Sequence, residues 1–441
     1  MTESVIVLGG GLSGCSAGYA LAQAGLRVCV IERAPALGGL GGSFERDGHF
    51  YPLGYHHILR RDRTLLYFLE LMGALEQVHW RRIRMLFRVG GQLYDLANPL
   101  DMLRFPMSLA DKARFVALML RAFHKTDWTD WLDKSAEDLL DSWSGPRVRE
   151  ALFEPLNQLK FELPCSEVSG AWLGTRLHYR EGSAALGYVP GTNWTHVLCQ
   201  GVGRLLEESG VEVRLRTSVA KLHSCGERMR AVELDTGERL PADLVVSSMP
   251  TRVYLDLAPD DATPHLREIR YSALLSLVCA SKKAVEPDFY WMNLADRDRA
   301  ACGIFLLNSL NPTIGAPGDS CVNFVTHLNS HTRPFFTKPE DEIVQAYLAD
   351  FKAVFGFDLN PFWVKLSRVP MYSPVITPNY RNPPVRSARF GNVYFAGNYR
   401  TFPSVVSTGT ALASGLEAAQ TLLRDLGTDT QLPEKISAFR H

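Results

Sequence analysis

Residues 5–33 read VIVLGGGLSGCSAGYALAQAGLRVCVIER. Val5 to Leu8 is a short apolar run, as expected of a strand buried on both faces of a parallel sheet. Gly9, Gly11 and Gly14 follow as G-x-G-x-x-G. The first permits a tight turn, the second lets backbone approach a pyrophosphate, and the third lets helix and strand pack closely. The spacing predicts a helix over about Leu12–Ala24, whose first N–H groups, at Leu12 and Ser13, favour phosphate charge. Gly25 stands where a helix-ending glycine is expected. A second apolar strand, Val28 to Ile31, ends at Glu32, where a carboxylate can accept hydrogen bonds from ribose hydroxyls. An acid there argues against NADP, and Arg33 alone does not overturn that. A lone G-x-G-x-x-G is a weak signal. Here strand, turn, helix, second strand and terminal acid all come at the right spacing, so the loop is built for a dinucleotide.

The 441 residues are too many for one compact core and suit two interleaved or consecutive domains. With 46% hydrophobic residues and a formal net charge of zero, nothing suggests nucleic-acid binding. No run approaches the roughly 20 apolar residues of a membrane span. Met1 to Glu3 leads directly into the first strand, which leaves no room for a signal peptide and gives a cytoplasmic location as the expectation. Eight cysteines without a CxxC pair or metal-ligand spacing fit a reducing compartment and no metal site. The Asn193-Trp194-Thr195 sequon is then accidental.

Further along, APALGGLGGSF (34–44) forms a glycine loop in which backbone can lie against a ligand. GHFYPLGYHHILRRD (48–62) places Tyr55, His56 and His57 just after Gly54. Leu65 to Ser144 reads mainly helical, with N-caps at Ser108 and Ser135. Thr195–Ser209 reads as an amphipathic helix, followed by a strand at 211–215 and a hairpin turning at Asp235-Thr236-Gly237. ADLVVSSMP (242–250) is another buried parallel-type strand, and 392–423 is again strand, glycine loop and small-residue helix. From about Arg270 to Pro370, strand-like runs alternate with short helices.

These three dispersed segments resemble the FAD-dependent amine oxidase, protoporphyrinogen oxidase and phytoene desaturase superfamily. The resemblance rests on the opening loop joined to Glu32-Arg33 and Leu37-Gly38-Gly39 with Ser43, on ADLVVSSMP, and on VYFAGNYR with Gly409, Ala411, Ser414, Gly415, Ala418 and Ala419. It implies an α/β chain with a Rossmann-like, glutathione-reductase-like FAD domain (1–64, 195–265 and 385–430) interleaved with an α+β substrate domain (65–194 and 266–384). It also implies non-covalent FAD, since no cysteine lies near Asn398. The cofactor would be lined by Gly9, Gly11, Leu12, Ser13, Gly14, Glu32, Arg33, Gly39, Leu40, Gly54, Val219, Gly397, Asn398 and Ser407.

Within that resemblance, a Tyr-His-His segment and Lys160-Phe161 before Trp172 look like bacterial protoporphyrinogen-oxidase-like flavoproteins. His56 or His57 beside the flavin could move a proton, since histidine titrates near neutrality; packing against backbone is the bland alternative. Lys160 and Arg176 could face an anionic substrate, or else be solvated charges. Tyr372, Asn398 and Tyr399 fall where aromatics of the superfamily frame the flavin. An approximate alignment puts Ser276 where amine oxidases carry a lysine, which weakens true amine oxidation. The expected function is an FAD-dependent oxidoreductase of oxidase, dehydrogenase or desaturase type, passing hydride from an unidentified organic substrate to flavin N5 and then to an unidentified acceptor. The alternative is a non-redox flavoenzyme resembling UDP-galactopyranose mutase, acting on a sugar nucleotide. The helix Phe115–Phe123 reads as core or cap, with weak peripheral membrane contact kept open by Arg121, His124 and Lys125.

Overall fold

A computed structural model of the chain describes residues 3–179, 185–286, 288–295, 299–329 and 333–428; the extreme ends of the expected ranges, 1–2 and 429–430, lie outside them. The quoted stretch begins a five-stranded sheet ordered Val393–Phe395, Leu244–Ser247, Ser4–Leu8, Arg27–Ile31 and Glu212–Arg214. Every pairing in it is parallel, with Val5 between Val28 and Leu244. Side chains alternate across the sheet. Val5, Val7, Val28 and Val30 bury themselves among helices on one face, while Ile6, Leu8, Cys29 and Ile31 pack under the hairpin strands of residues 219–241 on the other.

The first helix spans Leu12–Gln23, and Gly25 follows its C-cap with φ +86°; Gly9 turns the chain at φ +101°. A Cβ at Gly14 would sit 2.0 Å from the Gly9 carbonyl oxygen, so no side chain fits there. The C-terminal helix, Thr408–Asp425, lies against this first helix just as closely: a Cβ at Gly415 would be 2.0 Å from the Ser13 carbonyl oxygen. Ser13 and Ser16 hydroxyls donate to the carbonyls of Ala411 (2.7 Å) and Leu412 (2.8 Å) across the same seam. Helix Trp194–Glu208 starts at Asn193, whose side chain accepts from the Thr195 N–H, so the sequon residues are a helix cap.

The second sheet has seven strands, ordered Trp363–Pro374, Tyr271–Ser281, Ser320–Leu328, Gly303–Leu306, Trp291–Leu294, Met85–Val89 and Gln92–Asp95. All its pairings are antiparallel except Trp291–Leu294 on Met85–Val89. The expectation of a mainly helical 65–144 therefore needs correction, since His79–Arg82, Met85–Val89 and Gln92–Asp95 are strands. Interleaved arginines mask their alternation, and they pair mostly with partners about 100–200 residues away. The local clue was Gly90-Gly91, both at positive φ in a tight hairpin turn. Helix Arg63–Leu71 also departs from the expected division at residue 64, because Leu65, Phe68 and Leu69 bury in the parallel-sheet core. Ser108 and Ser135 cap their helices through Asp111 and Asp138 N–H groups, as read.

Gly415→Val should force the two helices apart. Overpacking of this kind costs about 1–3 kcal/mol, and thermal melting should show a lowered midpoint with less folded protein. An unchanged melting curve would mean that the seam is looser than its hydrogen bonds indicate.

Candidate functional site

Four loops converge beyond the carboxyl ends of the parallel strands: Gly9–Ser13, Glu32–Ala34, Ser248–Pro250 and Gly397–Tyr399. The glycine loop at 38–41 joins them, held by Gly38 N–H donating to the Gly10 carbonyl (2.8 Å) and by a bridge between Gly11 and Gly38. Gly39, at φ +55°, would bring a Cβ within 3.1 Å of the Gly11 Cα, so close backbone approach requires glycine. From these loops one cavity of about 930 Å³ runs to the seven-stranded sheet. Its middle is apolar, lined by Met85, Phe87, Phe153, Leu156, Trp172, Leu173 and Trp291.

At the loop end an added Cβ on Gly11 meets no protein atom within 4 Å. Open space at Gly11, beside the N-terminus of a twelve-residue helix, is the cradle that a pyrophosphate needs. Both Glu32 carboxylate oxygens are already engaged, by Gly10 N–H (2.6 Å) and Ala34 N–H (2.7 Å), and ribose would use their remaining lone pairs. Leu12, Ser13, Arg33, Leu40, Val219, Gly397 and Ser407 also line the cavity. Two expected cofactor residues do not: Gly14 serves helix packing, and Gly54 faces Leu274 while its carbonyl meets the His56 ring Nδ1 at 3.0 Å. The residues present therefore fit an extended dinucleotide such as FAD.

Between the two ends sits Asp62, which sequence reading passed over. It caps helix Arg63–Leu71 by accepting from Leu65 N–H, and it also accepts from the Ser407 hydroxyl (3.3 Å) and from Gly409 N–H. A Cβ at Gly409 would collide with this carboxylate at 1.7 Å. Burial pushes its pKa up to about 6 despite these donors.

Beyond the cradle His56, His57, Lys160, Arg176, Tyr372, Asn398 and Tyr399 all line the cavity, together with Tyr55 and His327. They come from separate elements: the loop after Gly54, helices Glu154–Phe161 and Gly170–Tyr179, strands Ser320–Leu328 and Trp363–Pro374, and the 397–399 loop. Tyr55 stacks on Phe305 at 4.2 Å and shares a hydroxyl hydrogen bond with Tyr372; burial raises both phenols, so both stay protonated. Asn398 donates to the Tyr372 carbonyl (2.9 Å), tying two walls together. Tyr399 is buried, its hydroxyl without a hydrogen-bond partner among the described residues.

The charges here are unbalanced. Burial, then the neighbouring Arg176, pushes Lys160 down to about 7. Burial lowers Arg176 as well, yet a guanidinium remains charged. Among the described residues neither cation forms a salt bridge, whereas Arg149 nearby in sequence meets Glu137, Asp141, Glu150 and Glu154. Burial also lowers His56, pushes His57 to about 4, and drops His327 well below its usual value. Nδ1 of His57 and of His327 has no hydrogen-bond partner among the described residues, so no acceptor rewards a proton there. The three rings are neutral at pH 7, which revises the expectation of a histidine titrating near neutrality. Ser276 is buried inside the sheet with Asn323 donating to its hydroxyl (2.8 Å), outside the cavity wall. The missing lysine there carries no weight about amine chemistry.

Two outcomes follow from this geometry. Gly11→Val should leave apoprotein melting near wild type but abolish retention of FAD, measured by heat release of the flavin; wild-type FAD content would contradict the cradle. Asp62→Asn should raise the melting midpoint, and more at pH 8 than at pH 5. With a folded pKa near 6 above the ordinary 3.8, the folded state gains stability as pH falls through 6, and it carries the cost of a buried carboxylate above it. An equal effect at both pH values would show that Asp62 is not raised.

Comparisons with known proteins agree with this geometry. Residues 12–423 match the family model for flavin containing amine oxidoreductases. A 4,4'-diapolycopene oxygenase of Methylomonas sp is 27% identical over 285 residues, 56% of each chain. A D-amino acid dehydrogenase of Methylobacterium radiotolerans is 29% identical over 265 residues, 56% of this chain and 60% of that one. The chain thus matches little more than half the length of these curated relatives. Among solved structures, a protein of Exiguobacterium sp. 255-15 named "Putative protoporphyrinogen oxidase" superposes with TM-score 0.78 at 18% identity, covering 96% of this chain and 99% of that one. Reduced UDP-galactopyranose mutase gives 0.73 at 14% identity, covering 99% and 98%. Putrescine oxidase bound to putrescine gives 0.71 at 15%, covering 96% and 99%. Among the described residues no helix is long and apolar enough to cross a membrane. With the family model matching from the first helix to the last, the chain belongs to the flavin containing amine oxidoreductase family, an FAD-dependent group of oxidoreductases.

Proposed function

We propose that this protein oxidises an organic substrate with an apolar body and an anionic group, the anion being held by Lys160 and Arg176. The observation that supports this most is the pair of half-buried cations lining the cavity with no salt-bridge partner among the described residues. A ligand carboxylate or phosphate would supply the missing charge, and a cationic amine would be repelled. FAD, when bound along the glycine loops, supplies the hydride acceptor.

The chain's own residues position and shield. Of the described residues, 3–71, 195–265 and 385–428 would hold the cofactor, and 72–194 and 266–384 would hold the substrate. The apolar middle excludes water from the reacting bond. Neutral His56 and His57 can donate or accept a hydrogen bond without adding a positive charge. The protonated Tyr55–Tyr372 pair offers a fixed donor, and Asn398 keeps the Tyr372 backbone in place. His56→Ala should then lower turnover at least tenfold with FAD content unchanged, about 1.4 kcal/mol of transition-state stabilisation.

The mutase reading draws on the same cations, which could hold a sugar-nucleotide pyrophosphate. Anaerobic mixing separates the two. Loss of the flavin's visible absorbance on adding carboxylate-bearing substrate alone supports oxidation; turnover of a sugar nucleotide only after dithionite reduction supports the mutase.

The charge of Lys160 also sets a pH dependence. It is cationic below about 7 and discharges above, so affinity for an anionic inhibitor should weaken as pH rises past 7. Bound anion shifts the midpoint upward. Lys160→Met should bind the inhibitor about tenfold more weakly at pH 6 and lose this pH dependence, since a hydrogen bond to a charged group contributes about 1.5–3 kcal/mol. Inhibitor affinity independent of pH in the unmodified protein would contradict the assignment.

A further inference from the structure

Six of the eight exposed large hydrophobic side chains among the described residues lie between Leu100 and Phe123: Leu100, Leu103, Leu109, Val116, Leu120 and Phe123. The last four fall on one stripe of helix Leu109–His124, at helical spacing. Its opposite face buries Phe115, Leu118 and Ala122 in the core, so the exposed stripe is surplus to folding. Leu100 and Leu103 extend it from the preceding helix, Pro99–Arg104, which is fixed alongside by Lys112 Nζ donating to the Leu103 carbonyl (2.7 Å).

The charge around this face is one-sided. Residues 99–125 carry five Lys or Arg against two Asp and no Glu, in a chain whose formal charge is zero. Of the two acids, Asp111 is buried and paired with Arg114 (2.9 Å), and Asp101 is only partly exposed, near Arg104. Lys125 meets Asp130 just beyond the helix. Arg104 and His124 stand exposed beside the apolar stripe, and Arg114 and Arg121 are exposed further round the helix, Arg121 over the Trp143 ring (6.0 Å).

We infer that this face docks on the surface of an anionic lipid bilayer. An apolar stripe rimmed by arginine is the pattern that lies in a membrane interface, with leucine and phenylalanine entering the acyl boundary and the cations meeting anionic headgroups. A second copy of the chain is the poorer occupant, because a two-fold contact would set like cationic rims against each other. The helix beneath, Gly170–Tyr179, carries Trp172, Leu173, Arg176 and Leu177 of the cavity wall, so the docked face lies one helix from the site. The inference does not depend on the substrate proposed above.

The test is co-sedimentation of the FAD-loaded full chain with vesicles. With mixed phosphatidylcholine–phosphatidylglycerol vesicles at low salt the protein should pellet. Pure phosphatidylcholine or high salt should weaken binding at least tenfold. Leu109→Glu combined with Leu120→Glu should cut binding at least tenfold with melting and FAD content unchanged, since both side chains are exposed; Arg104→Glu with Arg121→Glu should remove the preference for phosphatidylglycerol. Absence of pelleting with anionic vesicles, or pelleting indifferent to the leucine pair, overturns the inference. So does a dimer in analytical ultracentrifugation that the leucine pair abolishes while vesicles stay unbound; the face would then be an interface between copies.

Discussion

Backbone lies directly on backbone where helix Leu12–Gln23 meets helix Thr408–Asp425. Gly415 leaves no space for a Cβ against the Ser13 carbonyl, and the Ser13 and Ser16 hydroxyls satisfy carbonyls across the gap. This contact joins residues about 400 positions apart. It brings the 397–407 loop over the same strand ends from which the two N-terminal glycine loops emerge. The cavity exists because of it, since one wall comes from each end of the chain. Asp62 reinforces the seam from the side, drawing donors from two helix N-termini onto one buried carboxylate. Helix N-termini favour that charge, yet burial outweighs them. Such an arrangement gives up stability for geometry near a functional cavity.

The other end of the cavity shows the same exchange more strongly. A lone buried cation is costly to a folded protein unless a partner compensates it. Arg149 illustrates the ordinary solution, with four carboxylates around it. Lys160 and Arg176 stand against rings instead, Lys160 over Phe161 (5.6 Å) and Arg176 over Trp172 (5.7 Å). Their mutual repulsion persists in the free protein and would be relieved by an anionic ligand.

Much of this was legible in the sequence because the decisive features are local. Gly9, Gly11, Gly14 and Glu32 announce a turn, a cradle and an acid within one βαβ unit, whereas His56, His57, Lys160, Arg176 and Tyr372 stood out through the resemblance to the flavoprotein superfamily. Other features had no local signal. His327 sits in SCVNFVTHL, and only pairing with distant strands turns its ring into the cavity. Asp62 reads as one charge among the arginines of ILRRDRT; its position before a helical run was a cap signal, but its second role needs Ser407 and Gly409 from the far end of the chain. The strands at 79–95 were hidden by arginine-rich alternation. The neutrality of the histidines follows from burial, which a sequence does not display.

The central claim is that one continuous cavity holds the flavin ring between the histidine loop and the 397–399 loop, with the Lys160–Arg176 pair beyond it. A crystal structure of the FAD-loaded protein tests this most directly. The account predicts pyrophosphate against Gly11, the isoalloxazine ring in contact with His56 or His57 and with Asn398, and an anion from the medium or a soaked carboxylate between Lys160 and Arg176. A ring lodged elsewhere, or both cations turned to solvent with no anion between them, would contradict it.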